Sequence, residues 1–343
     1  MGIKSNNLAA IYHDFFSRSG KDAVNPVPPP APPVFEATGG TKITSGNDTY
    51  HVFLHTGSPQ SFTVQNAPGS LTAKVLVVGG GASGGFSADG ISGGGGAGGV
   101  QYYTSYPITD GTTTVVVGNK GANPGSGPTY TPDPAINDGE DTTFGSAIGY
   151  GGGGGAHEFP GIRNQPGHNG GSAGGGASYP FPGTGGGSPT QSSAPLVSGA
   201  GGTNYGNGAG AGGNSNPEGY GGGGGGAGGA GQGRPNGANG GNGQAFPEFP
   251  GPALAPAIPS TNVSTIGPTG LFAGGGAGGH NGPTIYGPSP GGGGATAWYQ
   301  ANPSRGADAT GYGSGGAGTQ YGISNTLGSP AGTPGIVIVK YST

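Results

Sequence analysis

Histidines and carboxylates are where a chain with only 7% charged residues could do chemistry. His51 and His55 stand four apart, the spacing that chelates zinc from one face of a helix. Their segment, Tyr50–His55, reads instead as a strand. At ~3.3 Å per residue the two imidazoles would then stand roughly 13 Å apart, so sheet or surface positions are expected. Asp133, Asp138, Glu140 and Asp141 crowd one loop and offer the oxygen ligands that calcium takes. Pro134 stands where the first ligand of a calcium-binding loop should be, and a solvated acidic turn is expected. Val75-Leu-Val-Val-Gly79-Gly-Gly81-Ala-Ser-Gly84 is a strand followed by the glycine spacing that cradles a dinucleotide pyrophosphate. Phe86-Ser-Ala-Asp-Gly-Ile-Ser-Gly cannot make the helix that spacing requires, and no strand ending in an acidic residue follows at the right distance. No Ser–His–Asp set or carboxylate pair assembles from the sequence. The expectation is a protein that is not an enzyme and holds no cofactor and no metal.

Ninety of the 343 residues are glycine and 33 are proline. Together they exceed the roughly 25–30% at which aperiodic chains are usually low-complexity. With a net charge of −4, self-repulsion gives no reason for disorder. The ten Lys and Arg residues are scattered, so no basic face for nucleic acid is expected. Without cysteine there is no disulfide framework and no thiolate chemistry. No apolar run reaches the ~18 residues of a membrane-spanning helix, and His13 and Asp14 interrupt the early apolar cluster that a secretory signal would need.

Such residues must be positioned by something other than ordinary helices. In Gly199–Gly243, with Gly221–Gly226 at its centre, each glycine would cost a helix or strand roughly 0.5–1 kcal/mol against alanine. Glycine instead permits close approach. Left-handed extended helices have three residues per turn and no internal hydrogen bonds, so bare rods of this kind can satisfy one another's backbone groups. Glycine-dense runs recur at 79–99, 145–155, 167–187, 199–243, 273–294 and 306–318, separated by aromatic and proline-rich segments such as Gln244–Pro259. Around them lie strand-like pieces: Tyr50–His55, Ser61–Gln65, Leu71–Val78, Val100–Tyr106, Thr112–Val117 and Gly335–Tyr341. The uninterrupted Ile336-Val-Ile-Val339 suggests a strand covered on both faces, and the early strands are its available partners. The ends of the body should meet in one small sheet, with Asn119–Pro334 an excursion from it. No ordinary large apolar core is expected, because the apolar residues come in short packets.

The first residues differ. Leu8, Ile11, Tyr12, Phe15 and Phe16 form one helical stripe, which makes 1–24 an expected anchoring segment. Residues 25–34, with Pro26, Pro28–Pro30 and Pro32–Pro33, read as a semi-rigid arm, and 35–343 as the body. The expected fold class is all-β: a small antiparallel sheet or sandwich carrying a bundle of polyglycine II helices and long loops, with a short N-terminal helix or extended anchor. Tyr179, Phe181, Trp298 and Tyr299 are candidates to stack on sugar rings. They could equally cap the ends of the glycine rods.

The segments FTVQNAPGSLTAKVLVVGGGASGG, VVVGNKGANPG, DTTFGSAIGYGGGGGA and the closing GIVIVKY resemble the glycine-rich domain of bacteriophage tail-fibre and virion structural proteins. The leader NNLAAIYHDFFSRSGKDAVNP is similar to that of structural proteins from phages of marine cyanobacteria. The resemblance implies a protein located in the virion. It would join other virion proteins through the N-terminal segment and meet a host surface receptor or polysaccharide through its loops, with no nucleic acid bound and no membrane inserted. A homotrimer is one assembly open to it, and a non-adhesive capsid decoration or fibre connector is the alternative role.

Overall fold

Runs of β-branched residues build the frame. In β15 (Ile336–Ser342) the apolar run is covered on both sides because the strand lies inside a six-stranded antiparallel sheet. One neighbour is β3 (Asp48–Leu54), with Ile336 opposite Leu54 and Val339 opposite His51. The other is β5 (Thr72–Val78), with Ile336 opposite Val78. β2 (Thr41–Ser45) closes one edge, while β6 (Val100–Pro107) and β10 (Gly202–Tyr205) complete the other. The last strand of the body thus pairs with early strands, as expected.

The computed structural model describes residues 31, 33–87, 90–122, 137–157, 165–178, 183–215, 218–235, 238–281, 287–295, 306–320 and 328–342. The chain divides into Met1–Val34 and Phe35–Thr343, and every element named here belongs to the second unit. The leader stripe, Leu8 to Phe16, lies outside the described residues.

A second sheet stacks on the first. Its five antiparallel strands run in the order β1 (Glu36–Thr38), β4 (Gln60–Gln65), β7 (Gly111–Val116), β8 (Thr142–Phe144) and β9 (Ala147–Gly149). Phe53, Val75, Val77, Tyr103, Val337 and Val339 from the larger sheet meet Phe62, Val64, Val115 and Phe144 from the smaller in one buried cluster. This is a sandwich, larger than the single small sheet expected. The opposite face of the larger sheet, with Val52, Leu76, Tyr102, Ile336 and Ile338, packs on Phe246, Phe249, Leu254, Ile258, Ile266 and Phe272. Two substantial apolar clusters therefore exist where short apolar packets had suggested none. Gln244–Pro259 corrects the expectation of a displayed loop, since Phe249 and Leu254 are wholly buried. Two short helices also appear there, α1 (Gly251–Leu254) and α2 (Ser260–Ile266). Proline in the first turn suits α1, and Gly267 ends α2 at φ 61°, a conformation glycine adopts without a Cβ penalty. The run 199–243 is likewise not all rod. It contains β10 and a ribbon of β11 (Gly213–Ser215) with β12 (Glu218–Tyr220).

The strands pass directly into the glycine rods. After β5, Gly79, Ala82 and Gly85 donate their N–H groups to the carbonyls of Gly99, Gly96 and Gly93, at 2.8–3.0 Å. Gly80 and Ser83 donate to Glu140 and Asn137, and Gly81 and Gly84 to Thr333 and Pro330. Each third residue faces the same neighbour, the hydrogen-bond signature of a three-residue turn. The rod 93–99 is surrounded. It donates to 150–156, 222–225 and 313–316 and accepts from 79–85, 172–175 and Gly276. No glycine in 79–85, 93–99 or 221–226 has positive φ, so these are left-handed extended rods. What glycine supplies is space: a Cβ on Gly84, Gly175 or Gly222 would fall on the backbone carbonyl of Ala317, Gly222 or Gly210. Gly79, Gly81 and Gly84, the dinucleotide-like spacing, are lattice members with all three N–H groups spent on backbone carbonyls.

Candidate functional site

Where a rod lacks a neighbour, a side chain supplies the acceptor. In 150–156, Gly152 and Gly155 donate to Gly80 and Ser83, and Gly153 and Ala156 to Ser172 and Gly175. The third face has no rod. There Gly151 donates to Asp141 Oδ1 at 2.8 Å and Gly154 to Asp138 Oδ1 at 2.6 Å. Asp138 also meets His168 Nδ1 at 2.8 Å, and Glu140 Oε2 accepts the Asn119 N–H at 3.0 Å. The acidic loop is thus a lattice edge in which carboxylates replace carbonyls, rather than a freely solvated turn. Asp133 lies outside the described residues. His51 and His55 are sheet residues, as expected. His51 is wholly buried, donating from Nδ1 to the Gly39 carbonyl at 2.8 Å and accepting at Nε2 from the Tyr341 hydroxyl at 3.1 Å. Burial lowers its pKa.

The rods end together on the side away from the sheets, in a layer of small polar side chains. Ser92 Oγ donates to the Gly85 carbonyl at 2.7 Å and accepts the Thr319 N–H at 2.6 Å. The Ser87 N–H reaches Thr319 Oγ1 at 2.8 Å. Ile91 and Ser178 exchange backbone hydrogen bonds, and Tyr220 stacks on His280 with ring centroids 4.5 Å apart. Phe86 donates its N–H to His157 Nδ1 at 2.9 Å. That bond leaves the proton on Nε2, which faces the carboxamide of Asn137. Full burial lowers the His157 pKa to about 3, with the nearby His168 adding to the effect. A neutral imidazole held by a backbone amide acts as a structural prop.

The contact candidates Tyr179, Phe181, Trp298 and Tyr299 all lie outside the described residues. Tyr179 and Phe181 follow Ser178 directly. Trp298 and Tyr299 follow Ala295, whose carbonyl takes the Ala307 N–H at 2.7 Å, beside the rod that ends at Thr319. The layer itself escaped the sequence reading, although the sequence carries a polar residue at each of these rod ends: Ser87, His157, Ser178, His280 and Thr319. Among the described residues no group of three potential ligands could hold a metal ion, and no helix is long and apolar enough to cross a membrane.

Compared with known proteins, residues 56–342 match the family model described as a glycine-rich domain. Among curated proteins there is no match.

Proposed function

Because the chain belongs to the glycine-rich domain family over residues 56–342, we propose that it is a bacteriophage virion protein whose glycine lattice is a rigid mount for host-attachment loops. The observation that carries this reading is the hydrogen-bonded glycine lattice, in which every N–H of 93–99 is paired and whose rods run on from a sheet closed by β15. Ser178, next in sequence to Tyr179, is held in it by backbone hydrogen bonds with Ile91. Loops on a rigid scaffold are the usual place for binding residues. Aromatic side chains there would supply contact area at low entropic cost. The resemblance of the strand-plus-glycine segments and of the leader to phage structural proteins supplies the virion context. In this reading residues 1–24, with Leu8, Ile11, Tyr12, Phe15 and Phe16, dock on another virion protein by a helix-in-groove mode, and 25–34 keep the body clear of that junction.

Labelled full-length protein should adsorb to intact host cells and to their extracted surface polysaccharide. Trp298→Ala with Tyr299→Ala should lower adsorption and leave the melting temperature unchanged. A fall in stability with undiminished adsorption of the folded fraction would make these residues caps of the fold. Failure of the unaltered protein to adsorb, while antibodies still label virions, would leave a connector or decoration role.

A further inference from the structure

The lattice also ends sideways, and its lateral edges are finished differently. Along 150–156 the outer amides are closed by Asp138 and Asp141. Along 238–243 they are open. Gly241 donates to Gly224 and Gly243 to Pro290, at 2.8 and 2.7 Å. Asn239 and Asn242, one three-residue turn apart, accept from Gln232 and Gly228 through their carbonyls, but their own N–H groups find no acceptor among the described residues. The N–H of Gly240 finds none either. All three residues line a cleft of about 310 Å³, walled by Gln232 and by Pro288 and Pro290. Among the described residues no titratable side chain lines it. The Asn239 carboxamide donates to Gln232 Oε1 at 3.0 Å. Among the described residues no rod lies against this edge of 238–243.

We propose that the cleft binds a proline-rich segment of a partner chain in the polyproline II conformation. Such a segment has the lattice's own geometry, three residues per turn and about 9 Å per turn, so carbonyls on one of its faces match the amides of Asn239 and Asn242. Complementarity fixes the class of partner. The cleft offers backbone donors and no charge, whereas a proline chain carries acceptors and no N–H. Its pyrrolidine rings lie against Pro288 and Pro290, and Gly229, on which a Cβ would stand 3.6 Å from the Asn242 nitrogen, leaves room for close backbone approach. A segment with free N–H groups of its own would leave some of them unpaired on this edge.

A labelled, capped oligoproline peptide titrated with the full-length chain gives the test, read by fluorescence anisotropy and by amide exchange. Saturable binding is expected, with slowed exchange at Asn239, Gly240 and Asn242. Asn242→Pro should weaken binding about fivefold, the size of one lost hydrogen bond. It should not change the melting temperature, because that N–H has no acceptor within the fold and extended backbone accepts proline. If Asn242→Pro lowers the melting temperature, exchange protection on the unaltered chain decides alone. Absence of saturable binding, or binding without protection of these amides, overturns the proposal. Protection of the same amides by a neutral malto-oligosaccharide and not by the peptide would overturn it too, and would give the cleft to a saccharide.

Discussion

A Cβ at Gly222 would be driven into the backbone carbonyl of Gly210, whereas at Gly185 nothing stands within 4 Å and φ is not positive. The two glycines look alike in the sequence and answer to different constraints. Gly222→Ala should cost about 2–3 kcal/mol, because overpacking a lattice of backbone also stretches the hydrogen bonds that hold it. Gly185→Ala should be neutral or stabilise by about 0.4–1 kcal/mol through the unfolded chain. Chemical denaturation of the two variants compares them directly. His157 sets a pH limit at the same scale. Its folded pKa is lowered to about 3 from 6.5, so below pH 6.5 the unfolded chain takes the proton first. Stability then falls by ~1.4 kcal/mol per unit from this group until the folded form is also protonated. His51 acts in the same direction. His157→Asn keeps an acceptor for the Phe86 N–H, and it should flatten the fall in melting temperature between about pH 6.5 and 5 without abolishing it. An unchanged slope would mean that His157 is solvated in the native state.

Among the elements, the strands were legible and the cover was not. Tyr50–His55, Ser61–Gln65, Leu71–Val78, Thr112–Val117 and Gly335–Tyr341 each overlie an observed strand, because β-branched runs between turn residues carry a local signal. The segment GPALAPAIPSTNVSTIG has no such signal. Its helices are too short to stand on propensity, and they hold because Phe249, Leu254 and Ile266 bury against a sheet far away in sequence. Leu254→Ala should therefore cost about 2–5 kcal/mol, large for a residue in a proline-rich stretch. A denaturation midpoint within error of the unaltered chain would show that this cover is not part of the cooperative fold. The pairing of the rod ends was unreadable for the same reason. Ser92 and Thr319 are 227 residues apart in the chain, and no local pattern announces their hydrogen bond.

At the scale of the whole molecule, a sandwich and a hydrogen-bonded lattice share one chain. Composition alone would also fit a flexible glycine linker. What distinguishes the two is the pairing of β15 with β3 and β5, which closes the glycine-rich excursion on a sheet. Amide hydrogen exchange resolved by residue tests this most directly. The lattice requires slow exchange in all three positions of the turn along 93–99 and 221–226, whose N–H groups are all paired. Along 238–243 it requires a broken pattern, with Gly241 and Gly243 slow and Asn239, Gly240 and Asn242 fast. Uniformly fast exchange across 199–243 would contradict the account and return this stretch to a flexible loop.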